Sequence, residues 1–295
     1  MTGNPCVRSA WLVLGALTVP LESAALGYFC SKLDLAAPNV RAVTNPRPDQ
    51  DGTDDRTAYM ADRAVNVEVL AVHGAGAQMD AVAASFAPFM APSARPVLHY
   101  VLDRPGNPER TMTLRAAALS WPIAGGETLD IQLQWVAPDP AAYNPVLESA
   151  TAWPGSATVP GRSYPWTPPR VYPAGGLAPT PGAIYSPGDL SVSPVLTIYG
   201  PITTPSVTIT SPSATVINIT AHTGYVLGAG QYVTVDLGAR TAVDNTGLNV
   251  LNQLDWGQSV FGVIPPQTNC TMNMTGTSAT WNSQVVATWH DAYLL

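Results

Sequence analysis

Apolar and polar residues alternate along much of the chain. In residues 63–73, Val65, Val67, Val69 and Ala71 fall on one face, with Asn66 and Glu68 on the other. That period of two marks a half-buried strand. Gly74 and Gly76 then interrupt it. Met79, Val82, Ala83 and Phe86 recur at i, i+3, i+4 and i+7, which predicts a short amphipathic helix over 78–86. Pro88 and Pro92 stop it. Residues 97–103 read as a strand. Residues 111–120 alternate Met112, Leu114, Ala116 and Ala118 against Thr111, Thr113 and Arg115. After the turn at Gly125-Gly126, residues 130–136 place Ile131, Leu133 and Trp135 inward. The apolar stretch 11–19 has the length of a signal-peptide core, but Gly15 and Pro20 favour a first hairpin. Residues 1–136 are therefore expected to form a mainly β domain with one short helix.

The far end of the chain has a different rhythm. Short apolar runs at 195–199, 207–210, 216–220, 232–237, 241–244, 248–254, 270–275 and 283–289 are separated by Gly, Pro and Asn. Strands so spaced predict a sandwich or barrel over 190–295. Between the two patterns, residues 137–205 hold 15 of the 29 prolines. Proline cannot donate to a strand ladder, so central strands are not expected there. Trp153, Tyr164, Trp166 and Tyr172 are too many aromatics for a loose linker. The reading is three parts: a domain over 1–136, an extended aromatic-anchored connection over 137–189, and a domain over 190–295.

Charge narrows the function. Only 11% of the 295 residues are charged, against about 25% in an ordinary soluble domain. Lys32 is the one lysine, and residues 190–295 carry only Asp236, Arg240, Asp244, Asp255 and Asp291. Soluble surfaces normally keep apart by charge, so this scarcity is unusual for a free monomer. A net charge of −7 argues against a sequence-reading nucleic-acid binder, which needs a basic face. No apolar run reaches the length of a membrane helix. Cys6, Cys30 and Cys270 form no CxxC pair, and buried thiols are expected.

Motifs for chemistry are scarce. One lysine without a GxxxxGK[ST] run excludes a P-loop, and no GxSxG or HExxH is present. His73, His99, His222 and His290 lie far apart, so no catalytic, cofactor or metal residue is nominated. The reading points away from an enzyme. One acidic cluster stands out, with Asp49, Asp51, Asp54 and Asp55 around Gly52. It does not meet the calcium-loop pattern. A polar hairpin loop is expected, pairing Asp54 or Asp55 with Arg56 or Arg63. Trp256 and Trp281 are the candidate sugar-stacking residues. They support an alternative function, a carbohydrate-binding adhesin for host cell-wall sugar. Trp289 continues the alternation of Val285 and Ala287, which assigns it to a core.

An ordered series of segments resembles the siphophage distal tail proteins, the Dit-like minor tail proteins of actinobacteriophages. It begins with Tyr28-Phe-Cys-Ser-Lys-Leu-Asp-Leu-Ala-Ala-Pro-Asn-Val-Arg41 and the Asp51-Gly52…Asp54 loop. It continues through Arg63-Ala-Val-Asn-Val-Glu-Val, Ala94-Arg-Pro-Val-Leu98 and Gln134-Trp-Val-Ala-Pro-Asp-Pro140. Pro194-Val-Leu-Thr-Ile-Tyr-Gly-Pro201, Tyr232-Val-Thr-Val-Asp-Leu237 and Ala287-Thr-Trp-His-Asp-Ala-Tyr-Leu294 complete it. Ile264-Pro-Pro-Gln-Thr-Asn269 departs from the family's usual Pro-Gly-x-Asn-like turn. The resemblance implies a virion protein at the distal end of the tail, built from an N-terminal β-sandwich-like ring-forming domain and a C-terminal galectin-like β-sandwich. It further implies a homo-oligomeric ring, commonly a hexamer, that joins the tail tube protein to the baseplate hub or tail-associated protein and adjoins the tape measure protein. Six copies would carry about −42, so an acidic lumen lined by some of Asp49–Asp55 would repel passing DNA.

Overall fold

The longest alternating stretches make the longest strands. The structure is a computed structural model that describes residues 7–38, 40–41, 44–46, 53–55, 59–72, 76–106, 108–120, 123–124, 128–155, 178–280 and 282–294. For 41, 44–46, 53–55, 59, 72, 76–79, 119–120, 123–124 and 128–129 it describes the backbone alone. The chain folds as two units, Met1–Pro145 with Tyr293–Leu295, and Val146–Ala292. The second is thus an insertion between Pro145 and Tyr293.

The first unit holds β1 (Val7–Leu14), β2 (Leu17–Pro20), β3 (Tyr28–Leu35), β4 (Val40–Arg41), β5 (Thr44–Pro46), β6 (Thr53–Asp55), β7 (Tyr59–Met60) and β8 (Arg63–Val72). The helix α1 (Gly76–Phe86) and a 3-10 turn Ala87–Met90 follow. Then come β9 (Val97–Leu102), β10 (Glu109–Thr113), β11 (Arg115–Ser120), β12 (Ile123–Ala124), β13 (Thr128–Ala137) and β14 (Ala142–Tyr143). One sheet has the order β2-β1-β9-β10-β14, with Tyr293 of the closing strand β25 (Ala292–Tyr293) at its edge. The other runs β11-β13-β8-β3. Two short ribbons, β4 with β7 and β5 with β6, lie outside both sheets.

The antiparallel β8–β13 pair shows why the sequence pattern works. Val65, Val67 and Val69 stand opposite Trp135, Leu133 and Ile131, and all six are buried. Asn66 opposite Gln134 and Glu68 opposite Gln132 make the other face. Leu12, Leu98, Tyr100 and Met112 of the first sheet join them in one core. Val82 and Phe86 of α1 and Phe89 of the 3-10 turn complete that core. Tyr28 packs edge-to-face on Phe86 at 5.8 Å and donates its hydroxyl to the Pro20 carbonyl at 2.9 Å. The expected hairpin at 11–19 is present, with Gly15 at φ +59 in its turn, a conformation that glycine adopts without strain.

Two differences have physical causes. The alternating stretch 111–120 is not one strand. It splits into β10 and β11, which belong to different sheets. Buried Leu114 sits at the corner, its N–H donating to the Pro96 carbonyl at 2.7 Å. A crossover between sheets preserves the period of two, so the pattern hides the break. Strand β3 was not anticipated, because a bulge between Cys30 and Lys32 shifts its phase. Tyr28 is buried before the bulge and Leu33 after it.

The second unit holds β15 (Glu148–Ala152), β16 (Gly182–Tyr185), β17 (Val195–Tyr199), β18 (Ile202–Thr210), β19 (Thr215–Thr220), β20 (Val226–Leu227), β21 (Tyr232–Asp236), β22 (Thr241–Asp244), β23 (Asn269–Thr277) and β24 (Gln284–Trp289). One sheet is β15-β24-β17-β21-β22, and the other β16-β23-β18-β19 with β20 beside β18. Both are antiparallel, and their inward residues Leu196, Ile198, Val235, Val285, Val207, Ile209, Ile217 and Met272 are buried. The proline-rich stretch supplies β15 and β16 at sheet edges, where a missing N–H is tolerated, but also, against expectation, the inner strand β17, which itself contains no proline. Pro205 lies in an inner strand, but at the bulge between Thr203 and Ser206, beside Thr204 at φ +50. Residues 248–254, expected as a strand, instead form a 3-10 turn over Leu251–Gln253. Leu248, Leu251 and Leu254 recur every three residues, which suits that turn. Asn249 Oδ1 accepts from the Leu251 N–H at 2.9 Å and starts it.

Candidate functional site

The nominated residues fare unequally. Asp49, Asp51 and Trp281 lie outside the described residues. Asp54 and Asp55 sit on the β5–β6 ribbon, where the backbone alone is described. Arg63, one of the expected partners of the acidic loop, is fully buried and donates through Nη2 to the Leu294 carbonyl. Trp256 is 55% exposed in a loop of the second unit. Phe261 stacks on one of its faces at 5.6 Å and 18°, so at most one face is open to a ligand. Trp289 is a core residue, its Nε1 donating to Asp291 at 3.2 Å.

Cys6 lies outside the described residues; of the other two cysteines, Cys270 is buried and Cys30 partly so, and both are poorly reactive. Burial pushes the Cys30 thiol up to about 11, with Glu22 and Glu68 adding to the shift. Burial raises Cys270 as well. At neutral pH both are thiols rather than nucleophilic thiolates. Among the described residues no three of His, Cys, Asp and Glu come together, and no helix is long and apolar enough to cross a membrane.

Two arrangements escaped the sequence reading. On one face of the first sheet, His99 stacks on Trp11 at 5.3 Å and its Nδ1 pairs with Glu109 at 2.7 Å. Trp11 and His99 are cross-strand neighbours in register. The three side chains form a half-buried ladder across β1, β9 and β10.

The second arrangement lies inside the first unit. Tyr100 on β9 is fully buried, and Arg110 stands directly opposite it on β10. The Arg110 guanidinium lies 3.5 Å over the Tyr293 ring, and its Nη1 donates to the Glu109 carbonyl at 3.0 Å. Arg63, at the start of β8, holds the next residue, Leu294. Two buried guanidiniums therefore grip the returning end of the chain through a cation–π contact and a carbonyl. Burial raises the Tyr100 hydroxyl above its ordinary value, while Arg63, Arg110 and Arg104 pull it back. Burial lowers Arg63, with Tyr100 opposing. Sequence reading missed this cluster because Arg63 and Leu294 are 231 residues apart. The one available signal was an arginine opening an otherwise apolar-faced strand.

No protein-family model and no curated protein matches the chain. Solved structures do. The SPP1 Dit protein, described as a paradigm of the hub adsorption apparatus of phages infecting Gram-positive bacteria, matches with a TM-score of 0.66 at 12% identity. That match covers 97% of this chain and 99% of the other. A chain of the phage P2 baseplate in its activated conformation with calcium matches at 0.49 and 11%, over 96% and 98% of the two chains. The strontium form gives 0.49 and 11%, over 95% and 98%. At 12% identity the first likeness establishes a shared fold and nothing finer.

Proposed function

We propose that this chain is a structural component of a phage tail tip, located at the distal end of the tail in the virion. The observation that carries the reading is the extent of the shared fold: both units together correspond to the SPP1 Dit protein from end to end. In this reading the chain is no enzyme. It forms a homo-oligomeric ring, in the finer form a hexamer, that joins the tail tube to the baseplate hub or tail-associated protein and adjoins the tape measure protein.

Charge scarcity supports the reading. Asp236, Asp244 and Asp255 spend their oxygens on loop N–H groups at 2.8 to 3.0 Å, and Asp291 holds the Trp289 indole. These four carboxylates of the second unit are thus tied into its own loops. Exposed Val226, Leu248, Trp256 and Val260 lie on the same unit. A surface of that kind suits contact with other protein better than free diffusion. The acidic group Asp49, Asp51, Asp54 and Asp55 faces the ring channel in this reading and keeps DNA from adhering.

Antibody labelling of intact particles tests the proposal: gold at the distal tip of the tail is expected, and gold on the head or along the tube contradicts it. A second reading, sugar binding, rests on the exposed Trp256 beside Phe261. Glycan binding that disappears in Trp256→Ala, with the fold intact, would favour it.

A further inference from the structure

We propose that Arg63, Tyr100 and Arg110 form an internal binding site for a small oxyanion of the phosphate or sulfate class. Arg63 Nε and Nη1, Arg110 Nε and the Tyr100 hydroxyl are all shut off from solvent and have no hydrogen-bond partner among the described residues. Arginine has donors and no acceptor, so neither guanidinium can satisfy the other, and the one acceptor among these groups, the Tyr100 oxygen, makes no hydrogen bond to either. Among the described residues neither cation is paired with a carboxylate. Ion pairs among the described residues include Lys32 with Glu68 and His99 with Glu109, and neither involves Arg63 or Arg110. The second of these holds the acidic neighbour of Arg110 on the far side of its own strand.

A buried guanidinium without an anion is one of the costliest arrangements in a protein interior. Two such groups around one unpartnered hydroxyl therefore point to a missing acceptor that carries negative charge. A tetrahedral oxyanion supplies both, because its oxygens accept from several donors at once and guanidiniums suit its geometry. The placement of the donors agrees. Tyr100 and Arg110 are directly opposed across β9 and β10, and both Arg63 and Arg110 act electrostatically on the Tyr100 hydroxyl. Tyr293 and Leu294 contact the same two arginines. Tyr293 lies in the edge strand of its sheet, where local opening gives the ion a way in. Once bound, it would fasten the segment that follows the inserted unit.

Isothermal titration of the full chain with inorganic phosphate at fixed ionic strength tests the site. Saturable binding of one ion per chain is expected, with a melting temperature that rises alongside it. Arg63→Met should abolish both effects. Tyr100→Phe should weaken binding about tenfold through loss of one hydrogen bond to a charged group. It should leave the phosphate-free melting temperature unchanged or higher, because a buried hydroxyl without a partner costs stability. Tyr100→Phe carries the test by itself if Arg63→Met fails to fold. No saturable binding by the unaltered chain, or equal affinity in Tyr100→Phe, overturns the proposal.

Discussion

The inserted unit, Val146–Ala292, carries nine of the chain's 33 charged side chains, and the first unit carries the rest. Both are built from antiparallel sheets with apolar inner faces, so the difference does not come from the fold. It lies in what charge is used for. In the inserted unit Asp236, Asp244 and Asp255 close loops: Asp244 alone accepts from Thr246 N–H, Thr246 hydroxyl and Leu248 N–H at 2.7 to 3.0 Å. In the first unit, charge goes to the outer strand pair Lys32–Glu68, to the His99–Glu109 ladder and, against expectation, into the core at Arg63 and Arg110. A β-sandwich fixes where apolar residues go and leaves the placement of charge to function. The proposed ring would account for a neutral surface on one unit wherever other protein covers it.

The comparison breaks most visibly if the two cores are not separate. Trp135 is buried in the first unit, its indole donating to the Phe89 carbonyl at 3.4 Å. Trp135→Ala should cost about 4 kcal/mol through the cavity it leaves. Calorimetry should show the first unit melting earlier while the transition of Val146–Ala292 stays in place. A shift of both transitions together would mean that the insertion does not fold as its own unit.

A next-largest effect is expected from Gly262→Ala in the inserted unit. A Cβ there would lie 1.8 Å from the Val216 carbonyl oxygen, so the backbone must move. A loss of about 2 kcal/mol is expected, confined to the opposite transition from that of Trp135→Ala.

The surface contrast is sharpened by a double variant, Leu248→Lys with Val260→Lys. Both positions are more than half exposed, so the melting temperature should stay within the effect of about 0.5 kcal/mol typical of surface changes. Incorporation of the chain into particles should nevertheless fall sharply. Normal incorporation would show that this charge-poor surface is simply solvated.

The smallest effect concerns Asp244. Hydrogen bonds from Thr246 and neighbouring N–H groups hold its carboxyl below the usual carboxylate value. The ionised form is therefore favoured in the folded state. Its contribution is complete above the ordinary value of about 4 and is lost as pH falls through the lowered one. Asp244→Asn should lower the melting temperature slightly at pH 7, and the gap should narrow as the pH falls below the ordinary carboxylate value.

The sequence showed the alternating strands of both units and the short helix, since each rests on local periodicity. Val65–Val69 opposite Ile131–Trp135 could be read residue by residue. What escaped was every feature set by a phase change or a long-range return. The bulge in β3 masks Tyr28 and Leu33, the corner at Leu114 hides a change of sheet, and the period-three leucines at 248–254 imitate a strand. The buried arginine cluster needs Tyr293 and Leu294 to come back to β8 and β10. No local pattern around Arg63 announces that. Of the nominated residues, Trp256 is exposed, with one face taken by Phe261.

Mass in solution tests the central claim most directly. Light scattering on the purified chain should give a discrete multiple of 30.9 kDa, and about 185 kDa if the ring is a hexamer, in keeping with the closed symmetry of most homo-oligomers. A single species of 30.9 kDa that persists as the concentration is raised would contradict the ring.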